Sequence, residues 1–145
     1  MIRTAFACMF LPTALFAGDL TVENPMVPLA PPSAMAHAAY FTLTNGGEET
    51  RQLIGVEADG YMMTHIHKTE EKDGVASMIS VDVIEIAPGQ SVAFKQGGLH
   101  VMLMRPEDAL EKDGSVDLTL EFANGEMLPV SAKVVPLSAI HAHGS

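Results

Sequence analysis

Histidine and methionine are the residues of this chain with chemistry to offer. There are six His and ten Met, against one Cys and no Trp, in 145 residues. Two short stretches concentrate them. Side chains of an extended strand point alternately to its two faces, so in Met62–His67 the residues Met63, His65 and His67 share one side. In His100–Met104 the same rule puts His100, Met102 and Met104 on one side and Val101 and Leu103 on the other. Met78 lies in a third strand-like segment, beyond an Asp73-Gly74 turn. A lone strand Met is ordinarily core filler, and a lone strand His is ordinarily hydrogen-bonded or at the surface. The joint pattern is what points to chemistry. Imidazole and thioether alternate on one face twice, and if the three segments are neighbours, two imidazoles and two thioethers converge.

Such a donor set selects its ion. Neutral, soft thioethers suit Cu(I), and imidazole is compatible with it. Calcium and magnesium demand oxygen donors. Structural zinc takes thiolate and imidazole, and a blue-copper electron-transfer site needs a Cys thiolate. The single thiol, Cys8, sits in the N-terminal apolar run MIRTAFACMFLPTALFA, where one cation, Arg3, precedes apolar residues and small residues end the run. That layout predicts a secretory signal peptide over residues 1–17. The run is too short for a permanent membrane span. On this reading the mature protein has no thiol and no disulfide, and holds any metal by His, Met or carboxylate. Thioethers form no disulfides, which suits an oxidising compartment.

Other function classes recede. The formal charge of −10 opposes nucleic-acid binding and a polybasic membrane anchor. No Gly-rich phosphate loop follows a strand, and there is no nucleophile elbow. The carboxylates sit at turns or on alternating strand faces and read as solvated surface.

The elements that must position the His and Met residues are short strands. Turn signals recur at Asn45-Gly46-Gly47, Asp73-Gly74, Pro88-Gly89, Gly97-Gly98, Asp113-Gly114 and Asn124-Gly125. Between them, Ala38–Thr44, Gln52–Glu57, Met62–His67, Val75–Ile79, Val81–Ile86, Ser91–Phe94, His100–Met104, Val116–Phe122 and Met127–Val135 read as strands. Helical periodicity is not sustained, and only Pro106–Lys112 has room for a brief helical turn. This predicts one all-β domain over residues 18–137, an antiparallel sandwich or barrel, with a mobile tail at 138–145. Met26, Met35, Met62 and Met127 read as packing residues, as does Met104.

The spacing also resembles that of a known family. His67, ten residues, Met78, twenty-one residues, His100, one residue, Met102 reproduces the motif of the PCuAC periplasmic copper chaperones without a gap. Ala39–Asn45, Ile84–Gly89 and Gly97–Met104 resemble that family's strands, and the resemblance runs from about Leu20 to Val135. It implies a cupredoxin-like antiparallel Greek-key β-sandwich in the periplasm. It implies a Cu(I) site made by His67, Met78, His100 and Met102, and a binding protein rather than an enzyme. It further implies delivery of copper to the CuA centre of a cytochrome c oxidase subunit, alongside a Sco-type chaperone. A copper buffer with no oxidase acceptor is the competing reading. Two features depart from the plain motif. His65 is either an extra ligand or a surface residue. The His141-Ala142-His143 tail resembles, in shortened form, the His-rich extensions of some members, which would hold a second ion, Cu(II); otherwise it is a disordered end.

Overall fold

The computed structural model describes residues 19–141. The expected signal peptide, residues 1–17, and the tail histidine His143 lie outside the described residues, and so does the side chain of His141. The strands are β1 (Leu20–Pro28), β2 (Ala36–Asn45), β3 (Arg51–Ala58), β4 (Tyr61–Lys72) and β5 (Val75–Ser80). They continue with β6 (Ile84–Ile86), β7 (Ser91–Phe94), β8 (Leu99–Pro106), β9 (Ser115–Phe122) and β10 (Met127–Val135). Hydrogen bonds link them in the order β5-β4-β8-β7-β2-β1-β10-β9-β3-β6, with β8 also pairing β2. Pairings are antiparallel apart from β1 with β10 and one bridge between β7 and β8.

This ladder folds over on itself. Ile66 of β4, Val101 and Leu103 of β8, Phe41 and Leu43 of β2 share one core with Leu118, Leu120 and Phe122 of β9 and Leu53 of β3. The two halves therefore form a sandwich, with β1 passing between them. Alternation supplies the inner faces. In β9, Val116, Leu118, Leu120 and Phe122 are buried while Ser115 and Asp117 are exposed. Each large buried apolar side chain contributes about 1.5–3 kcal/mol relative to exposure. Among the described residues three polar side chains are buried, His37, His100 and Asn45, and Asn45 is fully enclosed. Its Nδ2 donates to the Glu49 and Ile86 carbonyls, and its Oδ1 accepts from Gly47 N and Arg51 Nη1. No bonding capacity of that amide is wasted, so it ties the β2–β3 turn to β6.

Several expectations are corrected. β1 is an additional strand. β6 begins only at Ile84, because Val81 N–H is taken by the Ile66 carbonyl at 2.9 Å. Pro106–Lys112 is irregular beyond β8 rather than helical. Glu107 N–H there donates across the fold to the Gly60 carbonyl, 2.8 Å away. Part of the expected mobile tail is instead a 3-10 helix, Leu137–His141, begun where Ala139 N–H closes on the Pro136 carbonyl at 2.9 Å. Met35, Met62 and Met127 do not pack: they are 71%, 68% and 55% exposed. Aromatic and branched residues fill the core in their place.

Candidate metal centre

Register between β4 and β8 builds the site. His67 stands opposite His100, His65 opposite Met102, and Met63 opposite Met104. Directly opposed residues project to the same face, with Cβ atoms about 4.5–5.5 Å apart. The reverse face of the same strands is core, where Ile66, Val101 and Leu103 are buried. The donor-bearing face is therefore the outer one.

β5 continues this face on the far side of β4. Ser80 stands opposite His67 and Met78 opposite Thr69. The Asp73-Gly74 turn sets that register. Asp73 and Gly74 have φ of 53° and 79°, the paired positive angles of a tight two-residue hairpin, which Asp-Gly tolerates and most pairs do not. Met78 thereby falls diagonal to His67, about 7–8 Å away, within reach of a long thioether arm. Met102 takes the opposite diagonal. His67 is the hub: it faces His100 directly, Met102 stands on one diagonal, and on the other stands the outlying arm Met78. It is 60% exposed on the edge strand.

The imidazoles are held with their nitrogens open. His100 is 5% exposed, and its Nδ1 lies 3.1 Å from the Gly98 carbonyl oxygen. A carbonyl only accepts, so Nδ1 carries a proton, and in the neutral ring the lone pair is on Nε2. That Nε2 is buried with no partner, and so is Nδ1 of His67. A buried polar atom without a partner ordinarily costs about 1–3 kcal/mol. Here two of them lie on facing rings, and a ligand bound by both would remove that cost. The His67 and His100 ring centroids are 5.9 Å apart, edge to face, and His65 stacks on His67, also at 5.9 Å. Burial pushes the His67 pKa below its ordinary value, and positive charge on His100 or His65 would push it further. Burial thus favours the neutral ring, whose lone pair a cation could take.

The support for His100 escaped sequence reasoning. Gly97 has φ of 82°, which permits the turn in which Gly98 N–H donates to the Lys95 carbonyl at 3.0 Å. The Gly98 carbonyl then accepts from both His100 and the Thr69 backbone N–H at 3.1 Å. One outer partner so orients the ring and ties it to β4. The Gly97-Gly98 pair just ahead of His100 was the available signal. Among the described residues no three His, Cys, Asp or Glu side chains come together to hold a metal. Met102 and Met78 add thioethers around the His pair, beside the third imidazole of His65, and thioethers favour a soft ion. The surface clefts beside Tyr40 and Phe94, beside Tyr61 and Leu110, and beside Arg51 and Gln52 include none of the four residues.

Residues 20–134 match the family profile described as "Putative lipoprotein LpqE-like". The uncharacterized protein RP573 of Rickettsia prowazekii is 33% identical over 98 residues, which is 67% of this chain and 54% of that protein. The chain spans 54% and 61% of the lengths of the curated relatives it matches. Among solved structures, Cu(I)-bound DR1885 of Deinococcus radiodurans is 29% identical, with a TM-score of 0.64, covering 80% of this chain and 77% of that one. The copper-bound PCuAC domain of PmoF2 has a TM-score of 0.69 at 20% identity, covering 82% of this chain and 94% of that one. The fold is thus the expected cupredoxin-like β-sandwich of PCuAC domains. Among the described residues no helix is long and apolar enough to cross a membrane.

Proposed function

We propose that this chain, which belongs to the LpqE-like family and has the fold of PCuAC domains, is an extracytoplasmic Cu(I) chaperone carrying its ion on His67, Met78, His100 and Met102. The observation that carries this reading is the pair of buried, unpartnered imidazole nitrogens, His67 Nδ1 and His100 Nε2, with Met102 and Met78 on the flanking diagonals. All four donors are neutral, so the loaded site keeps the single positive charge of Cu(I). The Cu(I) cargo of DR1885, 29% identical, supports the same cargo here.

Capture and release follow from unequal burial. Buried His100, oriented by Gly98, is the anchor. Exposed Met78 is the first donor to meet an arriving ion and the first to yield it. An acceptor's thiolate or imidazole enters as a thioether leaves, so copper is handed over without being set free. The protein binds and passes an ion and turns over no substrate. We place this role in the periplasm, with residues 18–137 as the binding domain. The acceptor is the CuA centre of cytochrome c oxidase, with a Sco-type chaperone as companion.

The test is a Cu(I) competition titration of the M78L/M102L double variant against a chromogenic chelator. Leu conserves volume, so each substitution should cost less than about 1.5 kcal/mol of stability, while tight binding should vanish. Affinity equal to that of the unmodified protein would reject the site. The surplus of donors beside the site, His65, Met63 and Met104, favours a second reading in which the protein stores copper for tolerance. A deletion strain decides between them. Lost oxidase activity at low copper supports delivery, and normal oxidase with copper sensitivity supports storage.

A further inference from the structure

The donor ladder on the outer face of β4 and β8 continues past the site just described. After His67 opposite His100 come His65 opposite Met102 and Met63 opposite Met104. Every one of these facing positions is His or Met. Core packing does not account for the last step. Met63 is 43% exposed, Met104 is half-buried and His65 is exposed, while Ile66, Val101 and Leu103 fill the core from the other face. On β2, Ala36 stands opposite Met104 and Ala38 opposite Met102, so that strand sets only methyl groups beside the two thioether arms.

We propose that His65, Met63 and Met104 form a second site for a soft monovalent cation, Cu(I) or its analogue Ag(I), adjoining the first. One imidazole and two thioethers are neutral, soft donors, the set that selects monovalent copper over oxygen-seeking calcium or magnesium. His65 stacks on His67 with centroids 5.9 Å apart, so the second site begins where the first ends. Two residues along a strand separate the sites by about 7 Å. Two like charges at that distance repel, so the second ion binds more weakly than the first. It serves as a waiting position from which copper steps to His67. The proposal rests on the reading above for the identity of copper as the natural ion, but the donor site itself does not.

The experiment is a titration of the full chain carrying Cys8→Ser, which removes its one thiol, labelled with 13C at the methionine methyls, with silver nitrate as a redox-stable probe. The Met78 and Met102 methyl signals should move with the first equivalent and those of Met63 and Met104 with the second. The M63L/M104L variant should keep the first phase and lose the second. Met63 and Met104 signals that stay still under excess Ag(I) overturn the second site. A single phase in which all four move together overturns it too. Movement of Met63 and Met104 with Met78 and Met102 silent upholds the second site and overturns the ligand set proposed for the first, so the two failures are distinguishable.

Discussion

His37 and His100 are each 5% exposed, yet they are used in opposite ways. His37 Nδ1 is paired with the Tyr61 hydroxyl at 2.7 Å, and the rings meet edge to face. Burial pushes the Tyr61 phenol up to about 12, so it keeps its proton and the pair stays intact. His100 instead leaves Nε2 open. The first is a satisfied core histidine and the second a buried imidazole with an unpartnered nitrogen, the proposed ligand. Burial also lowers the His37 pKa, and the sign of the consequence can be worked out. Between the lowered folded value and the unfolded value of about 6.5, the unfolded chain binds more protons, so stability falls as pH drops through that window. We expect the metal-free protein to lose more thermal stability between about pH 7.5 and pH 5 than its H37Q variant does. His67 contributes equally to both proteins, so the difference isolates His37. Parallel losses would show that His37 carries no such linkage.

At the scale of elements, the β4–β5 hairpin sets where the proposed donor Met78 stands. Every residue of β5 is exposed, so the hairpin stands clear of the core and its geometry is set by its own turn. A methyl group added at Gly74 would meet nothing within 4 Å, but φ there is +79°. Placing an L side chain at that angle costs about 1–2 kcal/mol. Gly74→Ala should therefore loosen the hairpin tip and lower Cu(I) affinity by up to about thirtyfold, with at most a small drop in the unfolding midpoint of the metal-free protein. A competition titration and a thermal melt check both halves. Full affinity in the variant would mean that the turn does not control Met78. The Gly97-Gly98 turn acts similarly on the other side, by presenting the carbonyl that fixes the His100 tautomer. Asp73-Gly74 was legible as a turn from its residues alone. The register it imposes, Met78 opposite Thr69, also needed the length of β4, which runs to Lys72 and not just to His67.

The whole molecule adds charge. A formal −10 on a chain of this size makes a surface that attracts a basic partner face and speeds encounter. The proposed donors are themselves neutral. Equilibrium affinity for Cu(I) should thus be nearly independent of salt, whereas the rate of copper transfer to a basic-faced acceptor should fall steeply. From about 0.01 M to about 1 M salt, the screening length shrinks from about 30 Å to about 3 Å. Stopped-flow transfer kinetics over that range test this, and a flat rate would remove electrostatic docking from the mechanism.

Which residues share a face was decided by the sequence alone, because an extended chain turns its side chains over at every residue. Met63, His65 and His67 on one side, and His100, Met102 and Met104 on one side, follow from counting by twos. The short strands and their turns were legible for the same local reason. Which strand lies beside which was decided only by the tertiary structure. β4 meets β8 because Ile66, Val101 and Leu103 must be buried in a common core, and that demand is not local. Its register sets His67 against His100, sends Met78 and Met102 to opposite diagonals, and aligns His65, Met63 and Met104 as a continuation of the same ladder.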